Sequence, residues 1–87
     1  MSTTVFEIHC GTALVETRRG SHRRLSTYYD VQVGDEIIIH THRQLEAERA
    51  ICKHHPKAKT REAREALRTA LNSMGRHTWY ATYEVED

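Results

Sequence analysis

Residues 60–85 read TREAREALRTALNSMGRHTWYATYEV, and the change of period inside this stretch decides the fold. Ala63, Ala66, Leu67, Ala70, Leu71 and Met74 recur at spacings of 3, 1, 3, 1 and 3. That is the apolar stripe of an amphipathic helix. Arg61, Glu62, Arg64, Glu65 and Arg68 fill the opposite side, Thr60 precedes as a capping hydroxyl, and Gly75 follows as a stop. After Gly75 the period drops to two. Trp79, Ala81, Tyr83 and Val85 fall on one side of a strand over 78–85, with Tyr80, Thr82 and Glu84 on the other. Trp79 is expected to be buried with the helix stripe, which requires the last strand to pair with an early one.

Working back toward the N-terminus, Pro56 ends a first helix predicted from about Arg43 to His55, since the residue before proline avoids the helical region. Thr41-His42-Arg43-Gln44 has the form of a capping box for that helix. Everything earlier has strand character. Phe6, Ile8 and Cys10 alternate with Glu7 and His9, predicting a strand over Val5–Cys10. Gly11-Thr12 reads as a turn, and Ala13–Thr17 as a second strand. A third strand covers Leu25–Val33. Gly34-Asp35 is the chemistry of a type II′ hairpin turn. Glu36–His40 follows, and the run Ile37-Ile38-Ile39 predicts a strand covered on both faces, in the middle of the sheet. The expected order is ββββααβ: one α+β domain over residues 1–87, an antiparallel sheet of four to five strands with two helices packed on one face.

The 87 residues leave room for one domain only. A hydrophobic fraction of 38% supports one core, and a charged fraction of 29% is ordinary, which sets disorder aside. No apolar run reaches the length of a membrane span, so no membrane partner is expected. Residues 1–20 lack the apolar stretch of a secretory signal. A reducing cytoplasmic setting, with Cys10 and Cys52 as free core thiols, is the expectation.

Charge is segregated although the net charge is only +1. Arg18, Arg19, His22, Arg23 and Arg24 fall in seven residues without an acid, around the break at Gly20-Ser21, and are expected at a hairpin tip. A second acid-free run holds Lys53, His54, His55, Lys57, Lys59 and Arg61. Glu84, Glu86 and Asp87 crowd the other end of the sequence. Guanidinium groups fork onto carboxylates and phosphates, so the arginine cluster, with Tyr28 and Tyr29 as apolar anchors, is the expected partner-binding surface. The expected partner is a protein with an acidic or nucleic-acid-handling surface. The alternative is a small nucleic-acid binder, with phosphates on the arginines and bases stacked on the tyrosines. The near-neutral net charge favours the first, because dedicated nucleic-acid binders carry a strong positive excess. The bland counterpart is a solvated, charged sheet end.

Reactive groups give weaker patterns. His40 and His42, at i and i+2 on a strand, share a face and could ligate one ion, but the spacing of the histidines and cysteines matches no zinc module. They are expected to be structural or surface groups without metal or other cofactor. Cys10 and His9 point to opposite faces, Cys52 and His55 can meet on a helix, and no nucleophile elbow, phosphate loop or carboxylate pair occurs. No catalytic residue is assigned. In size, α+β layout and lack of a chemical motif, the chain looks like the small phage-encoded inhibitors of bacterial defence, the anti-CRISPR proteins among them. That likeness of form implies a non-catalytic inhibitor or adaptor that works by occluding a protein surface.

Overall fold

In the computed structural model, which describes residues 2–17, 20 and 23–87, the chain is an α+β fold. The elements are β1 (Thr3–Glu16), β2 (Arg23–Val33), β3 (Glu36–Thr41), α1 (Gln44–His54), a 3₁₀ turn (Pro56–Lys59), α2 (Arg61–Ser73) and β4 (Tyr80–Glu86). The strands form one antiparallel sheet in the order β3-β2-β1-β4, and the helices lie on one face of it. The four-to-five strands expected come to four because both apolar stretches around Gly11 belong to β1.

Gly11-Thr12 is therefore not a turn: Gly11 pairs with Tyr28 in mid-strand. Its glycine character serves a close approach. A Cβ at Gly11 would stand 2.3 Å from Tyr28 Oη and 2.5 Å from its Cζ, so the tyrosine ring lies across the bare backbone. Gly34 does what its sequence implies. It takes φ +59°, Asp35 keeps a negative φ, and Val33 pairs with Glu36 across a two-residue loop.

The sheet has an inner and an outer face. Phe6 and Ile8 of β1, Tyr29 and Val31 of β2 and Val85 of β4 point inward, and they meet Ala47, Ile51 and Cys52 of α1 and Leu67 and Leu71 of α2. Tyr83 tethers the second helix to β4 by donating its hydroxyl to the Ala63 carbonyl (2.8 Å). Of the predicted stripe on α2, Leu67, Leu71 and Met74 are buried, Ala63 and Ala70 are half-buried, and Ala66 faces solvent. Thr60 caps α2 as expected, accepting from the Ala63 N–H (3.3 Å).

Three further expectations change. The β3 strand is an edge, not the middle, and its isoleucine run has another cause. A bulge pairs Val31 with Ile39 and Gln32 with Ile37, leaving Ile38 as the extra residue. Ile38 and Ile39 both pack on the core, whereas Ile37 is 58% exposed on the outer face. Thr41 does not cap α1: it is the last residue of β3, and its hydroxyl accepts from Arg43 N (3.1 Å) and donates to Glu46, while Gln44 donates to Tyr29 Oη (3.0 Å). Trp79 is 49% exposed, because regular pairing of β4 starts only at Tyr80 and the helix layer stops before it. Its carbonyl still accepts from Cys10 N (2.9 Å).

The early and late strands do pair, from Thr3 opposite Glu86 to His9 opposite Tyr80. Asp87 closes this end. Its carboxylate accepts from Ser2 Oγ (2.7 Å), Thr4 Oγ1 (2.6 Å) and His55 Nε2 (2.7 Å). The hydroxyl bonds from Thr4 and Ser2, then that from His55, hold the carboxyl well below the ordinary range.

Leu67→Ala should destabilise the fold by about 2–5 kcal/mol, the range for a truncated core leucine, measured by chemical denaturation. Gly11→Ala should be neutral or harmful in the native background, where Tyr28 must leave its seat. In a Tyr28→Ala background the same change should stabilise by about 0.5–1 kcal/mol, the ordinary preference for alanine over glycine within a strand. A carboxyl held low in the folded state contributes fully above its unfolded value of about 4, and the contribution is lost as pH falls below it. Asp87→Asn should thus melt below the native chain at pH 5, and the gap between their melting temperatures should narrow on acidification below about pH 4.

Candidate binding surface

β1 and β2 run on together after β3 and β4 have ended. From Thr12 opposite Thr27 to Glu16 opposite Arg23 they form a two-stranded arm with no neighbour strand on either edge. The molecule measures 52 × 26 × 23 Å. Its radius of gyration of 14.0 Å exceeds the value of about 12 Å for a compact chain of this length.

Of the expected partner-binding residues, Arg23 and Arg24 are exposed on the last rungs of the arm, Arg23 on the inner-face side and Arg24 on the outer. Arg18, Arg19 and His22 lie outside the described residues, in the connection between Glu16 and Arg23. Tyr28 and Tyr29 separate. Tyr29, expected as an apolar anchor, is 4% exposed and belongs to the core, because its side chain alternates onto the inner face with Val31. Tyr28 is on the outer face, half-buried over Gly11, with its ring centroid 5.0 Å from that of His40 and 6.1 Å from that of His42.

Sequence reasoning missed the apolar part of the arm. Leu14 and Leu25 are cross-strand partners on the inner-face side, yet they are 61% and 69% exposed. The sequence does hold a signal for this. Two helices of 11 and 13 residues reach about 16–20 Å at 1.5 Å per residue, and a 14-residue strand reaches about 45 Å. The helices cannot cover the strand they rest on.

The outer face carries no helix. One transverse row crosses all four strands there: Tyr80, His9, Asp30 and His40. His40 Nδ1 meets the Asp30 carboxylate, His42 Nδ1 lies 3.1 Å from both Ser26 Oγ and the Thr27 carbonyl, and Tyr80 Oη donates to Glu7 (3.0 Å). The His40 and His42 rings do share a face, 6.0 Å apart. Among the described residues no three His, Cys, Asp or Glu side chains converge as a metal site.

The thiols are not arranged for attack. Burial, aided by the Asp30 carboxylate, pushes the Cys10 thiol up to about 11, which disfavours the thiolate. Cys52 is buried and its Sγ lies 3.6 Å from the Ala58 carbonyl, while His55 turns to Asp87. Among the described residues no helix is long and apolar enough to cross a membrane.

Glu16 stands opposite Arg23 on the arm, but the acids near the C-terminus are remote from it. Glu84 and Glu86 sit opposite Val5 and Thr3, at the far end of β1 from Glu16. About 40 Å of extended strand separates the two ends. Comparison with protein-family models, curated proteins and solved structures finds no match to this chain.

Proposed function

We propose that the chain is a non-catalytic binding module that occupies the surface of a protein partner through its projecting arm, as an inhibitor or adaptor. The observation that carries this reading is the exposed Leu14–Leu25 pair beneath the arginines. A two-stranded ribbon without a core is marginally stable by itself, and an apolar cross-strand pair in water adds nothing to its solubility. Placed against a partner, the two leucines supply the apolar centre of a contact, and the arginines supply its charged surround. A phosphate backbone has no use for the leucines, which favours a protein with an acidic or nucleic-acid-handling surface. The phage-type anti-defence inhibitors, to which the chain is alike in form, are the class of protein this reading fits. Cytoplasmic action accompanies it, since the free thiols Cys10 and Cys52 suit a reducing compartment.

A nucleic-acid reading draws on the outer face instead. Arg24, Ser26 and Tyr28 share that side of β2, so phosphate and base contacts could be made together. The two readings separate in one experiment. A tagged chain is used to capture partners from a lysate of the source cells, with and without nuclease, and the captured partner is titrated against variants.

Arg19→Glu with Arg23→Glu should leave the melting temperature nearly unchanged, weaken binding at least about tenfold, and flatten its dependence on salt. Leu14→Ser with Leu25→Ser should weaken binding by a similar factor while leaving the salt dependence as it was. Binding lost wholly to nuclease, or indifferent to the leucine pair, would replace the protein reading with the nucleic-acid one.

A further inference from the structure

The arm does not account for the second acid-free run of the sequence. Folding brings part of that run, Lys53 and Lys59, into a cleft lined by both helices. The cleft is about 400 Å³, within the range of small-ligand sites. α1 contributes Arg49 and Lys53 to one wall, the 3₁₀ turn contributes Lys59, and α2 contributes Arg64 and Arg68 to the other. A second hollow of about 410 Å³, which adds Arg61 and Glu65, shares Lys59, Arg64 and Arg68 with the first. Helical spacing explains the convergence: Arg49 and Lys53 are four residues apart on α1, and Arg64 and Arg68 four apart on α2, so each pair stacks along one exposed line of its helix that borders the cleft.

Five cations thus line one concavity with one acid among them. That acid, Glu48, is 4% exposed and is already taken: it accepts from Arg68 Nε at 3.0 Å. A buried carboxylate needs such a partner, and the pairing in turn fixes the partly exposed Arg68 guanidinium beside Glu48 in the cleft wall. Arg61 is engaged with Glu65 (3.3 Å). Arg49, Lys53, Lys59 and Arg64 form no ion pair among the described residues. Four like charges around one hollow repel one another and weaken the fold unless an anion is present. The chain is nearly neutral overall, so this local excess is not a by-product of a basic composition. Leu45 and Cys52 give the cleft an apolar margin.

We propose that this cleft binds a small polyphosphate anion, such as the phosphate chain of a nucleoside triphosphate. Closely spaced phosphates match a site whose cations come from both walls. Two of the four uncommitted groups are arginines, which fork onto phosphate oxygens, and two are lysines, which follow them as mobile point charges. A single carboxylate or phosphate would leave most of the cations unanswered. The site is separate from the arm, sharing no residue with it, and stands whether or not the arm binds protein.

The test is a titration of the isotope-labelled native chain, followed by amide NMR, with sodium tripolyphosphate, ATP and inorganic phosphate in magnesium-free buffer. Tripolyphosphate should give saturable shifts centred on 49–53, 59 and 64–68, with Kd below about 100 µM at low salt. Inorganic phosphate should bind at least about tenfold more weakly. ATP binding tighter than tripolyphosphate would identify a nucleotide as the source of the phosphates, and equal binding would identify the phosphate chain alone. Lys59→Gln with Arg64→Gln, both exposed and clear of the core, should weaken tripolyphosphate at least about tenfold without lowering the melting temperature. The arm variant with Arg19→Glu and Arg23→Glu should bind it as the native chain does. Absence of saturable shifts up to about 1 mM, shifts centred on the arm, or unchanged binding by the cleft variant would each overturn the proposal.

Discussion

The mismatch between one strand and everything laid against it governs this molecule. β1 has 14 residues and β2 has 11, but β3 has six and β4 seven. Its first half pairs with β4 from Thr3 to His9, has β2 on its other edge as well from Glu7 on, and holds Phe6 and Ile8, both fully buried in the core. For its second half it has a single neighbour and no cover. Core and arm are thus two environments of the same strand. The register that seats Ile8 opposite Val31 also sets Leu14 opposite Leu25, because a slip of one residue would exchange the faces of both.

Much of this was legible in the sequence. Most of the helical stripe on α2, its threonine cap, the stop at Pro56 and the Gly34-Asp35 turn follow from local chemistry, and the last strand does pair with an early one, though not to bury Trp79. The errors came where a residue's local pattern has two physical causes. Glycine in an apolar run reads as a turn, but Gly11 sits in a strand to admit the Tyr28 ring, a contact with a residue 17 positions away. Three successive isoleucines read as a strand covered on both faces, but a bulge turns two of them to the core on an edge strand. Trp79 read as core because its period was right, but the strand begins at Tyr80, two residues later than the period implies. Local pattern reports which face a side chain takes, and it is silent on how far a covering layer extends.

The same limit applied to the candidate surface. The basic cluster could be read directly, and of it Arg23 and Arg24 lie on the last rungs where β1 and β2 pair, while Arg18, Arg19 and His22 lie outside the described residues. The leucines could not, because an exposed leucine and a buried one look alike until the reach of the helices is compared with that of the strand. Tyr28 and Tyr29, adjacent and equivalent in sequence, were divided by the pleat: one rests on the open face, and the other fills the core and accepts from Gln44. The cleft between the helices was half visible as an acid-free run. Its other half comes from α2, whose arginines alternate with glutamates and give no net signal until the helix is wound.

The placement of β4 has a consequence for how the chain meets anything charged. By pairing with the start of β1 it carries Glu84 and Glu86 to one pole of an elongated body, opposite the arginines. The arginines of the arm are thereby kept clear of the C-terminal acids, so the local field at that pole is positive although the chain carries only +1 overall. In the field of an acidic surface such a body feels little net pull at long range and an attraction at its basic pole at short range. Tumbling is then biased during the encounter, the basic pole turning inward before contact, so a larger share of collisions begins in a usable orientation. Dissolved salt would erase that alignment over a Debye length, and the association rate would register it before the dissociation rate did.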